Sequence, residues 1–124
     1  MAHPDYNLLF EDRSTYVYAY LTGTDSFSAS LSYWNEIADK TKALGYRKVL
    51  VHENLLGDIT EGEVFELVKD LLETSREIQV ALFDENNTDS RINARGQLFA
   101  SNRGATVRIF KSLGDAEQWI KQDD

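Results

Sequence analysis

The sequence contains no cysteine and a single proline, Pro4. Without a thiol there is no disulfide framework, no thiolate metal site and no thiol nucleophile. Without an internal proline, nothing in the chain forces a helix or strand to break. Histidine is scarce as well, with only His3 and His52, so a nucleophile–histidine–acid arrangement would have to be built on His52, His3 lying near a chain end. Long apolar runs are missing: no stretch approaches the ~20 residues that span a bilayer. The opening MAHPDYNLL has neither the basic nor the apolar segment of an export signal, and a cytoplasmic location is expected. Positive charge is short, since 13 Lys and Arg stand against 21 Asp and Glu for a formal net charge of −8. That field repels phosphate backbones and anionic headgroups, so no nucleic-acid partner is expected. There is no GxSxG elbow, phosphate loop or dinucleotide-binding glycine pattern; the pair Gly57 and Gly62 lacks the lysine and hydroxyl a phosphate loop requires.

What is present is the material of one packed core. The chain has 124 residues, 42% hydrophobic and 27% charged, with two Trp, six Tyr and six Phe, a composition that belongs to a globular domain and not to a disordered chain. A single domain over residues 1–124 suffices, as no linker, composition shift or internal repeat divides it.

Periodicity places the elements. Tyr6 to Phe10 and Thr15 to Thr22 are rich in aromatic and β-branched residues, and the polar Glu11 to Ser14 between them predicts a β-hairpin. In its second strand Val17, Ala19 and Leu21 share one face and Tyr16, Tyr18 and Tyr20 the other. Ser26 is placed to cap a helix whose apolar positions are Phe27, Leu31, Trp34, Ile37 and Ala38, ending near Gly45. Lys48 to His52, Ile78 to Phe83 and Thr106 to Phe110 are short apolar runs of the kind that form strands buried on both faces. Val64, Leu67, Val68, Leu71 and Leu72 mark a second helix, residues 88–102 a weaker third one interrupted by Gly96, and Ser112 caps a last one carrying Ala116, Trp119 and Ile120. The order β-β-α-β-α-β-α-β-α predicts an α/β domain: a mixed, mostly parallel sheet of about five strands with an N-terminal antiparallel hairpin and about four helices.

Chemistry is sparser. His52, Glu53 and Asn54 end one core strand and Asp84, Glu85 and Asn86 another, and the carboxyl ends of parallel strands are where ligands of open α/β sheets sit. His52, Glu53, Asp58, Asp84 and Glu85 are therefore the candidate ligand edge. If the two strands are neighbours, Glu53, Asp84 and Glu85 bring together oxygens of the kind magnesium or calcium takes. No dense ligand spacing supports such a site, so no metal and no cofactor is assigned. Thr60-Glu61-Gly62-Glu63 is a capping box, with the threonine accepting from the Glu63 backbone and the glutamate reaching back.

The run of hairpin, long helix, RKVLV, capped helix, IQVALF and especially VRIFKSLGDAEQWI (Val107 to Ile120) resembles the SpoIIAA-like family, small bacterial α/β domains related in fold to STAS domains and similar to CRAL-TRIO lipid-binding domains. The resemblance covers roughly Tyr6 to Lys121. It implies a non-catalytic regulatory module of the anti-sigma factor antagonist kind, with a protein partner. In such antagonists the loop after a central strand carries a phosphorylated serine; the matching run here is Gly57 to Gly62, where Asp58 and Gly62 echo the motif and Thr60 stands for the serine, but the serine pair is missing. Glu61 and Glu63 bring negative charge to the place where a phosphate would arrive, so Thr60 is expected to act as a cap first. The CRAL-TRIO likeness implies an alternative, a carrier or sensor of a lipid or other apolar small molecule, in a pocket lined by Phe27, Trp34, Phe65 and Phe99. A third reading is a hydrolase centred on His52 and Asp84. Self-association is also expected, through the tyrosine-rich strand taken as a sheet edge.

Overall fold

The computed structural model describes residues 5–88 and 90–122; His3 and Pro4 lie outside them. Nine elements follow in the expected order: β1 (Tyr6–Asp12), β2 (Val17–Thr24), α1 (Phe27–Ala43), β3 (Lys48–Leu56), α2 (Glu61–Ser75), β4 (Gln79–Asp84), α3 (Arg91–Ser101), β5 (Thr106–Phe110) and α4 (Leu113–Lys121). All five strands form one sheet in the order β1-β2-β3-β4-β5. β1 runs antiparallel to β2, and every later pair is parallel.

Strand order that repeats chain order has a geometric consequence. Each β-α-β crossover is right-handed and each steps in the same direction, so all three crossover helices must lie on the same face of the sheet. That is what is seen. Val17, Ala19, Leu21, Val49, Val51 and Leu82 pack beneath α1 with Ala29, Tyr33, Ile37 and Ala38. The opposite face is left to α4, whose Ala116 and Ile120 are fully buried against Tyr16, Leu50 and Ala81. A sheet stepping in one direction also has no point where the order reverses, and thus no crevice between helices on opposite faces. The candidate edge at the carboxyl ends of β3 and β4 therefore opens on no such crevice.

The hairpin is correct, but the role of its second strand is not. β2 lies between β1 and β3, with both sides paired; the sheet edges are β1 and β5. The tyrosine strand is therefore no free edge. Gly23 at the end of β2 shows how closely β1 approaches: its φ is +118°, and a Cβ there would stand 2.4 Å from the Asp5 carbonyl oxygen, so only glycine fits.

Two helices depart from their apolar patterns. α1 buries Ala29, Ser30, Tyr33, Ile37, Ala38 and Thr41, while Phe27, Leu31 and Trp34 are half-buried at its flank. Small residues at 29 and 30 let the helix sit close to the sheet, and Tyr33 becomes the central ring. In α3 Gly96 is not an interruption but a contact, buried where an added Cβ would meet Val64 Cγ1 of α2 at 2.8 Å.

Candidate functional site

The period-2 alternation of β3 and β4 splits the predicted ligand edge between the two faces. Glu53 and Asp84 are register partners and turn to the helix-covered face, where both line a cavity. His52 and Glu85 turn to the other face, where His52 Nε2 lies 2.8 Å from Glu85 Oε1. The oxygens of Glu53, Asp84 and Glu85 do not converge, and among the described residues no group of three or more His, Asp or Glu side chains is placed to hold a metal ion. The hydrolase reading fails for the same reason, since His52 and Asp84 stand on opposite sides of the sheet.

His52 is held at both nitrogens. Tyr18 Oη lies 2.7 Å from Nδ1; with Glu85 accepting at Nε2, the neutral ring carries its proton there and accepts from the tyrosine. Tyr20 and Phe83 pack on the ring at centroid distances of 4.7 and 5.0 Å. Bonds at both nitrogens and aromatic rings packed against it fix the orientation of the ring.

On the helix side a set of acids gathers. Asp25, at the carboxyl end of β2 just before the Ser26 cap, accepts from Ser30 Oγ at 2.7 Å and from Tyr33 Oη at 3.1 Å. The same tyrosine hydroxyl lies 3.3 Å from Glu53 Oε1. Asn93 Nδ2 donates to Asp84 Oδ2 at 2.8 Å, and Asn87 Nδ2 reaches Asp58 Oδ1 at 3.2 Å across two loops. Burial raises the Glu53 carboxyl well above its ordinary range, and the charges of Asp84 and Asp25 add to it. Burial likewise raises Asp25 and Asp84, against the donors that favour their charged forms. Tyr33 is pushed up by burial and then by the two carboxylates it faces.

These acids rim a cavity of about 170 Å³ between the sheet and α1, α2 and α3. Trp34 lines it; Phe27, Phe65 and Phe99 do not. Phe65 instead stacks on Phe99 at 4.7 Å between α2 and α3, and the Arg103 guanidinium covers Phe99 at 3.6 Å. Helix-face aromatics here fill an interhelical seam, which periodicity cannot distinguish from a pocket wall. Asp25 and Tyr33 are the polar cavity residues that sequence reasoning missed. Asp25 stands at the carboxyl end of β2, so the rule that picked out Glu53 and Asp84 could have found it.

Thr60 is solvent-exposed and closes the expected capping box: its hydroxyl accepts from Glu63 N at 3.2 Å, and its own N–H donates to Glu63 Oε1 at 2.8 Å. Glu61 is ion-paired with Arg95 of α3. Leu56, at the end of β3, is 70% exposed beside this loop.

No family model matches the chain, and no curated protein matches it in sequence. Among solved structures, an anti-sigma factor antagonist from Mycobacterium paratuberculosis superposes with a TM-score of 0.63 over 98% of this chain and 100% of that one, at 10% identity. The fold is that of an anti-sigma factor antagonist. The antagonist fold accounts for the five-stranded mixed sheet and its four helices, and the SpoIIAA-like reading of the sequence holds at that level. At 10% identity the antagonist fold carries over no individual residue. Among the described residues no helix is long and apolar enough to cross a membrane.

Proposed function

We propose that the chain is a non-catalytic regulatory module that acts by binding another protein, as an anti-sigma factor antagonist does, and that it works in the cytoplasm. The observation that carries this reading is the superposition on such an antagonist over both whole chains. The predicted pairing of His52 with Asp84 is absent, because His52 turns to the opposite face of the sheet and bonds Tyr18 and Glu85. The surface we assign to the partner is the loop from β3 to α2, where exposed Leu56 supplies an apolar anchor next to Asp58, Thr60 and Glu61. An apolar centre with an acidic rim suits a partner patch that is apolar in the middle and basic around it. In this reading Thr60 holds the shape of the loop as a cap. A phosphate on it would have to displace the Glu63 N–H and would face the carboxylates of Glu61 and Glu63.

A photo-crosslinking residue placed at Leu56 in living cells tests the proposal, with the exposed Leu98 of α3 as the control position. We expect Leu56 to trap a regulatory protein that also binds the purified chain, and Leu98 not to trap it. If neither Leu56 nor neighbouring loop positions trap a protein that binds again in purified form, the module reading is wrong.

A further inference from the structure

The cavity beneath α1–α3 is built with negative charge only. Asp25, Glu53, Asp58 and Asp84 line it, and among the described residues no Lys, Arg or His does. Each acid has a neutral donor holding it: Ser30 and Tyr33 on Asp25, Tyr33 on Glu53, Asn93 on Asp84 and Asn87 on Asp58. Among the described residues none of the four has an ion pair. Glu53 is the most telling, because it is only 6% exposed. Its Oε1 accepts from Tyr33, and among the described residues no hydrogen bond reaches its Oε2. A buried carboxylate costs several kcal/mol unless paired, and Glu53 lines the cavity.

The rest of the wall is apolar. Val80, Val107 and Ile109 of the sheet stay half-buried although three helices cover their face, because they border this space together with Leu67 and Leu71 of α2. A dry apolar cavity of about 150 Å³ is enough for a benzene ring, and this one is about 170 Å³. Charge and size together define the occupant. An anion would meet only acids, and an apolar molecule without a donor would leave Glu53 Oε2 unpaired. A metal ion finds no ligand set here.

We propose that the cavity binds a small organic amine, with its ammonium group between Glu53, Asp25 and Asp84 and a body of about one aromatic ring against Val80, Val107 and Leu71. The ammonium supplies a donor to Glu53 Oε2 and a positive charge beside Asp25 and Asp84. This inference goes beyond protein binding and does not depend on it. Gly57, Asp58 and Ile59 of the loop assigned to the partner also line the cavity, so an occupied cavity would sit against that loop.

The probe is 2-phenylethylamine, titrated into the intact protein by calorimetry and by amide NMR, with phenylacetate as its anionic counterpart. We expect saturable binding of the amine, shifts in residues of α1, α2 and α3, and no binding of phenylacetate. Glu53→Gln should weaken the amine at least about tenfold, as removal of one side of a buried charge pair does; Asp84→Asn carries the same test if that variant does not fold. The proposal falls if the amine fails to saturate by about 10 mM, beyond the millimolar range of the weakest specific ligands. It falls equally if phenylacetate binds as well, or if the folded acid-to-amide variant keeps the wild-type affinity. Any of these results leaves the crosslink from Leu56 to stand or fail by itself.

Discussion

Glu53 sits at the end of β3 with burial, Asp84 and Asp25 all opposing its ionisation. A carboxyl whose folded pKa is raised above its unfolded value favours the folded state when protonated; that contribution is whole below the ordinary carboxylate range, about pH 4, and is lost as pH rises through the raised folded value. Asp25 and Asp84 shift in the same direction. The ligand-free protein is therefore expected to gain stability as pH falls from about 7.5 toward about 5. Glu53→Gln should be more stable than wild type at the upper pH, and the difference should shrink toward the lower one; denaturant midpoints at the two pH values measure both. At Thr60 the expectation is ordinary: Thr60→Ser and Thr60→Asp keep most of the stability, while Thr60→Ala loses about 1 kcal/mol, read from the same titrations. The capping box was fully legible in the sequence, because its four residues are consecutive and its bonds are local. That Glu53, Asp84 and Asp58 lie at one end of the sheet was legible, but Tyr33 and the cavity they line were not. A cavity is a property of what fails to fill a space, and no local pattern records it.

Helix and strand positions followed from periodicity to within a few residues, since burial on one face repeats along the chain whatever the neighbours are. Which face each helix buries was less legible. In α1 the bulky residues Phe27, Leu31 and Trp34 suggested one stripe, yet the buried line runs through Ala29, Ser30, Tyr33 and Ile37. Small residues were passed over because their value lies in what they allow to approach. The same logic governs α3 against α2. Gly96→Ala would gain helix propensity of about 1 kcal/mol, but its Cβ would stand 2.8 Å from Val64 Cγ1, and β-branched valine has little freedom to turn away. Overpacking costs of about 1–3 kcal/mol are usual, so a net loss of stability is expected for Gly96→Ala, and Val64→Ala should restore part of it in the double variant. A stable Gly96→Ala protein would mean that α3 is not seated on α2 at this position.

In the whole molecule the two sheet edges are treated differently. On β5 the Gln97 side chain reaches down from α3 and accepts from Ile109 N at 2.8 Å, which removes one outward donor from that edge. β1 carries only Glu11 and Asp12 near its turn, and its Leu9 is 66% exposed. Self-association, if it uses a strand, is expected at β1 and not at the interior tyrosine strand; sedimentation equilibrium at about micromolar concentration should show a mass above that of one chain, and Leu9→Lys should return it to one chain. Strand order was not legible, as several orders satisfy the same string of elements. The order found has a consequence for how the molecule comes into being. Every strand after β1 is laid beside the one made just before it, so a chain emerging from the ribosome can add each unit to an edge already in place, without waiting for a distant segment. Each parallel pairing closes a separation of only about 30 residues, and none joins the two ends of the chain. Only α4 arrives after all five strands are made; until then Leu50 and Ala81 have no cover, and the growing sheet carries one apolar face that a chaperone could hold.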